Sequence, residues 1–251
     1  MKVVINPEFS VLKEFIYNIP QNFDKGGKTI YKARNEIKVF EVNGIEVNVK
    51  KYCIPHFLNR FVYAYIRKSK AERAYKHALQ LLKKGIVTPT PIAYILQKKY
   101  GLLNNSYFVS LQSPLSRRFN EFAENPNDIY CKEHIVEAVA KYIAKMHENN
   151  ILHLDLSIGN ILFEDTAKEV LFSIVDLNRM RFKKINQELG CKNFQRLRGS
   201  DEFFRILGKS YAKARAFDEE KCVSDILRYN AKHIESFKRR KKIKQKLGLS
   251  K

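Results

Sequence analysis

The stretch Ile151-Leu152-His153-Leu154-Asp155-Leu156-Ser157-Ile158-Gly159-Asn160-Ile161-Leu162 sets polar residues at fixed offsets into an otherwise apolar run. A carboxylate buried without a partner is costly, so the polar residues here need a chemical reason. The spacing His-x-Asp-x-x-x-x-Asn is followed by Ile174-Val175-Asp176-Leu177-Asn178-Arg179 at the end of a second apolar run. Phosphoryl transfer supplies such a reason. One carboxylate orients the attacking hydroxyl and accepts its proton, while a second carboxylate and an amide oxygen hold Mg2+ on the nucleotide phosphates. Asp155 fits the first role, and Asn160 and Asp176 fit the second. The competing reading is a turn in which Asp155 and Asn160 only cap backbone groups.

Outward from this segment, residues 133–149 place Val136, Val139, Ala140, Ile143 and Met146 at helical spacing, and Asn149-Asn150 ends the helix. Short strands are expected at 160–163 and 170–175, and two or three helices over 185–236. Upstream, Ser113-Pro114 reads as a hinge. Before it, strands are expected at 29–32, 36–40 and 45–52, the last two joined by Asn43-Gly44, a strong hairpin signal. Residues 57–84 contain no Gly or Pro and carry Tyr75, Ala78, Leu79 and Leu82 at helical spacing, with Gly85 as the stop. Two more strands follow at 92–97 and 106–112. This order predicts an α+β, bilobal architecture: an antiparallel sheet lobe with one long helix over 1–112, a helical lobe over 113–237 and a basic tail over 238–251, with a mixed cleft between the lobes.

The chain has 251 residues, with 47 Lys and Arg against 26 Asp and Glu, a net charge of +21. Basic residues concentrate over 50–84, where Glu72 is the one acid, and over 238–251, which has none. Such a field attracts nucleic acid, an anionic membrane surface or a phosphorylated substrate. No run of about 18 apolar residues occurs, and Glu8, Lys13 and Glu14 interrupt any signal-peptide pattern. The four cysteines, 53, 131, 191 and 222, form no C-x-x-C pair and read as buried thiols of a cytoplasmic protein. His147, near the end of its helix, is a candidate to stabilise that C-terminus when protonated.

The chain resembles the protein-kinase-like fold, and within it the lipopolysaccharide kinases that phosphorylate Kdo or heptose sugars. The resemblance covers nearly the whole chain. It is carried by Val47-Asn48-Val49-Lys50, Ser69-Lys70-Ala71-Glu72-Arg73, Gly85-Ile86-Val87-Thr88-Pro89-Thr90-Pro91-Ile92-Ala93, Ser106-Tyr107-Phe108, His153 to Asn160 and Asp176-Leu177-Asn178-Arg179. The stretch from Val47 through Ala93 looks like the Kdo-kinase branch of Bacteroidetes-type bacteria. The resemblance implies ATP- and Mg2+-dependent phosphorylation of a sugar hydroxyl on lipid A (Kdo-lipid A as acceptor) by a peripheral enzyme at the cytoplasmic face of the inner membrane. Asp155 would be the catalytic base, Asn160 and Asp176 the metal ligands, and Lys50 the phosphate-pairing lysine. Lys51, which shares a strand face with the apolar Val49, competes with Lys50. Glu72 is the candidate helix glutamate, with Arg73 as a residue that could face the phosphates instead. In this fold His153 is expected to brace the loop.

Departures shape the substrate class. No Gly-x-Gly-x-x-Gly occurs near the start, so Arg34 or Asn35 is the candidate replacement. Ser157 stands where a Ser/Thr protein kinase carries a lysine, and Asp176 is followed by Leu-Asn-Arg. The chain after Asp176 is too short for a peptide-binding platform, which favours a sugar or lipid-linked acceptor. The alternatives are an atypical kinase of tRNA-modification or aminoglycoside type, or a nucleic-acid-binding pseudokinase.

Overall fold

The computed structural model describes residues 1–121 and 132–246. Cys131 and the last five residues of the expected basic tail lie outside them. The chain forms two compact units, one comprising 1–114 with 174–179, the other 115–173 with the residues from 180 onward. The segment 174–179 thus belongs with the first unit, although the chain-order reading assigned it to the second.

The first unit is a six-stranded antiparallel sheet in the order β1-β5-β6-β4-β3-β2, from β1 (Lys2–Ile5), β2 (Lys28–Lys32), β3 (Glu36–Val42), β4 (Ile45–Tyr52), β5 (Pro91–Lys99) and β6 (Leu102–Leu111). Asn43 and Gly44 both adopt positive φ at the β3–β4 turn, the conformation such a two-residue turn demands. Strand β4 alternates its side chains between two covered faces. Val47 and Val49 enter a core with Leu12, Ile16, Ile19 and Phe23, the latter three from helix α1 (Lys13–Asn22) and its C-cap. Tyr52, on the opposite face, packs with Ala71, Tyr75 and Tyr94. β1 and α1 were not expected. The spacing of Leu12, Ile16, Ile19 and Phe23 carried the helical signal, but Pro20 in the last turn masked it.

The expected helix over 57–84 is interrupted. It comprises α2 (Phe57–Phe61), a π-helical turn (Val62–Ile66), extended backbone at Arg67, and α3 (Lys70–Lys83). Ser69 is the reason for the late start, because its hydroxyl accepts from the Glu72 N–H and caps α3. Gly85, at φ +67°, follows the helix end.

The second unit holds the sheet β10-β9-β7, from β7 (Arg117–Arg118), β9 (Ile161–Asp165) and β10 (Val170–Ile174), and the pair β11-β8, from β8 (Ile151–His153) and β11 (Met180–Phe182). Its helices are α4 (Glu133–Glu148), α5 (Gln187–Asn193), α6 (Asp201–Arg215) and α7 (Glu219–Lys246). A 3-10 turn (Phe194–Arg196) follows α5. The apolar stripe of α4 (Val136, Val139, Ala140, Ile143) is fully buried, and α4 packs on α6. α6 meets α7 at Gly208, where a Cβ would come within 2.9 Å of Val223 Cγ2. The basic run 238–242, expected as a tail, continues α7 as helix.

Candidate active site

In the first unit, alternation on β4 separates the two candidate lysines. Lys50 Nζ lies 2.7 Å from Asp176 Oδ1, whereas Lys51 Nζ lies 3.0 Å from Asp24 Oδ2. The face that Lys51 shares with Val49 is the one α1 covers. An apolar neighbour such as Val49 therefore marks the core under α1 and not a phosphate site. Asp176 sits at φ +60°, an uncommon conformation for a residue with a side chain and one found at functional turns. Its segment is pinned at several points. Asn178 Nδ2 donates to Asp176 Oδ1 at 2.6 Å, and Thr88 Oγ1 donates to the Ile174 carbonyl at 2.7 Å. His77 Nδ1 lies 2.6 Å from the Leu177 carbonyl, which can only accept, so the ring donates there.

Glu72 is not brought to Lys50. Its carboxylate pairs with Lys76 at 2.7 Å on the same helix, because α3 starts at Ser69 and places Glu72 in the first turn. Arg73 shares a side-chain hydrogen bond with Tyr63 and lies near Tyr52. Burial, and next Arg67, lower its pKa. Burial raises the Tyr52 hydroxyl well above the ordinary tyrosine value, and the Asp176 carboxylate adds to that. Tyr52 Oη and Arg73 Nε are buried polar atoms with no hydrogen-bond partner among the described residues. Unmet donors beside a lysine suit an anion, and the residues fit a nucleotide phosphate. Arg34 and Asn35, the candidates for phosphate cradling, instead sit against Cys53: Arg34 Nε lies 3.3 Å from its sulfur and Asn35 Oδ1 accepts its backbone N–H. Cys53 is half-buried, contrary to the expectation of a buried thiol.

In the second unit, β8 ends at His153, which is fully buried. The Asp155 N–H donates to His153 Nδ1 at 3.1 Å, and Asn193 Nδ2 donates to the His153 carbonyl at 2.9 Å. Asn160 Nδ2 donates to the Asp155 carbonyl at 2.9 Å, which closes the loop and leaves its Oδ1 as a hard oxygen donor. Mg2+ is commonly held by one or two such oxygens with phosphates and waters, so Asp176 and Asn160 each carry a suitable donor. No cluster of three or more His, Cys, Asp or Glu exists among the described residues.

Sequence reasoning missed Arg196. Its guanidinium forms a 2.9 Å ion pair with Asp155 Oδ1, and no motif spacing announces it. His147 corrects an expectation. It is buried against Tyr211 Oη (2.8 Å) and Asn193 Oδ1 (3.1 Å), and burial lowers its pKa to about 4, so it is neutral at pH 7 and caps no helix as a cation. Cys191 and Cys222 meet with their sulfurs 3.4 Å apart, both buried. The shared hydrogen bond, and next burial, raise the Cys191 thiol pKa.

Residues 34–219 match the family model described as the lipopolysaccharide kinase (Kdo/WaaP) family. A curated 3-deoxy-D-manno-octulosonic acid kinase of Vibrio cholerae serotype O1 (strain ATCC 39315 / El Tor Inaba N16961) is 30% identical over 119 residues, 47% of each chain. The chain thus spans about half the length of that relative in the match. A solved structure of WaaP in complex with acyl carrier protein shares the fold, with a TM-score of 0.64 at 18% identity, over 93% of this chain and 99% of that one.

Proposed function

Since the chain belongs to the lipopolysaccharide kinase (Kdo/WaaP) family and is a phosphotransferase with an alcohol group as acceptor, we propose that it moves the γ-phosphate of ATP, with Mg2+, to a hydroxyl of an acidic inner-core sugar (Kdo) on a lipid A precursor. The observation that carries this reading is the Lys50–Asp176 pair, joined across 126 positions of sequence beside buried, unmet donors. The similarity to the Vibrio 3-deoxy-D-manno-octulosonic acid kinase supports the acid sugar.

The contacts within each unit support the following roles. Lys50 binds the α- and β-phosphates, with Arg73 and Tyr52 as further donors. Asp176 in the first unit and Asn160 in the second are the residues that would each offer an oxygen to Mg2+, whose charge would offset that of the phosphate oxygens. Asp155 orients the acceptor hydroxyl and takes its proton. The hydroxyl oxygen bonds the γ-phosphorus as the bond to the β–γ bridging oxygen breaks, and ADP leaves with that electron pair. His153 and Asn160 hold the loop in shape for this step. No helix among the described residues is long and apolar enough to cross a membrane. The basic run Lys238 to Lys242 on α7 supports an electrostatic contact with an anionic cytoplasmic leaflet, where a lipid-linked acceptor resides.

The test is phosphate transfer from ATP to Kdo-lipid A, read by mass spectrometry as one added phosphate. Asp155→Asn should lower turnover by about 10²- to 10⁴-fold while nucleotide binding persists. Asp176→Ala should remove Mg2+-dependent nucleotide binding. Full activity in Asp155→Asn sinks the assigned base, and no transfer by the wild type with ATP still bound sinks the acceptor.

A further inference from the structure

Arg196 is a guanidinium seated on the proposed base. Its Nη2 lies 2.9 Å from Asp155 Oδ1, with Arg196 and Asp155 side chains 38% and 22% exposed. The backbone that delivers it is clamped on both sides. Asn230 Nδ2 on α7 donates to the carbonyls of Gln195 (3.3 Å) and Leu197 (2.9 Å), which flank Arg196. One residue before the turn, Asn193 ties this element to the carbonyl of His153, two positions from Asp155. Phe194 and Leu197 are buried. Three buried or half-buried amide hydrogen bonds thus place one partly exposed arginine beside one carboxylate.

A permanent ion pair of this kind works against a base. The guanidinium sits on Oδ1, an oxygen at which the acceptor's proton would be taken. A pair between partly exposed groups is, however, weakly held and easily exchanged. A second carboxylate brought in by an acid sugar can take the guanidinium by a planar, two-point contact, the geometry arginine favours. The carboxylate and hydroxyl of one monosaccharide lie within a ring's width of each other, so the exchange releases Asp155 as the hydroxyl arrives. The surroundings extend the same chemistry: His233 on α7 feels the fields of both Arg196 and Arg240, so three cationic or basic side chains share this region.

We propose that Arg196 is the specificity-determining residue for the acceptor: it binds the sugar carboxylate and, in moving to it, uncovers Asp155. The inference rests on the proposed function and names the residue that reads the acid group. The test compares Kdo-lipid A with its carboxyl methyl ester, using wild type, Arg196→Gln and Arg196→Lys. Wild type should favour the acid over the ester by about 10- to 100-fold in kcat/KM for acceptor, the worth of one charge-assisted contact. Arg196→Gln should lose that preference through a raised acceptor KM with the KM for ATP little changed, and Arg196→Lys should restore part of it. A merely structural arginine would depress acid and ester alike, and that result overturns the inference, as does an unchanged preference in Arg196→Gln. No transfer to the acid by wild type overturns the proposed function, and this inference with it.

Discussion

Lys50 and Lys51 are chemically identical neighbours with opposite fates. One residue along a strand reverses the face, so Lys50 reaches Asp176 and Lys51 reaches Asp24. Lys50→Met should cost about 10²- to 10³-fold in kcat/KM for ATP, as loss of a fixed positive contact to phosphate does. Lys51→Met should stay within about threefold, because a largely exposed ion pair contributes only about 0–1 kcal/mol. Steady-state kinetics of the two variants side by side decide it, and equal losses would remove Lys50 from its proposed role. Glu72 shows where local reading stops. A single acid in a basic helix was a reasonable candidate from composition, but the cap at Ser69 sets which way each α3 side chain points. That cap gives Glu72 to Lys76 and turns Arg73 toward Tyr63 and Tyr52.

At the scale of elements, α4, α5 and α6 are joined through His147. The imidazole bridges Tyr211 of α6 and Asn193 of α5, and Asn193 in turn holds the carbonyl of His153. Gly190 permits this approach, since a Cβ there would collide with Tyr211 Oη. The folded His147 takes a proton only near pH 4, whereas the unfolded chain takes it below about 6.5. Its stabilising contribution is therefore complete above pH 6.5 and is lost as pH falls toward 4. Between pH 7.5 and 5 this group alone should remove about 2 kcal/mol of stability. Urea unfolding across that range should show the loss in wild type and a flatter profile in His147→Gln; parallel profiles would mean another group governs the acid limb. The sequence placed α4 within a residue of its observed bounds, because a long apolar period is a local property. It did not disclose α1, whose period was cut short by Pro20, nor the break of 57–84 at Ser69.

For the whole molecule, the net charge of +21 is the largest single statement the composition makes. Five consecutive basic residues, Lys238 to Lys242, lie on the last turns of α7. Replacing all five by Gln should weaken binding to anionic vesicles by about 100-fold or more, at roughly 1 kcal/mol per charge near such a surface. Thermal stability should barely change, since exposed substitutions are usually within about 0.5 kcal/mol. Sedimentation with vesicles of graded anionic lipid content measures the first and a melting curve the second; unchanged vesicle affinity would remove this run from the proposed membrane contact. By itself the sequence determined the strand and helix alternation, the hairpin at Asn43-Gly44 and the spacing of His153, Asp155 and Asn160. These depend on period and turn chemistry over a few residues. Only the tertiary structure decided that Asp176 belongs with Lys50, that Lys51 turns to Asp24 and that Arg196 sits on Asp155. Those pairings join distant positions, and which side chains meet depends on which faces are already covered, as by α1 on β4, a matter of packing that no local spacing encodes.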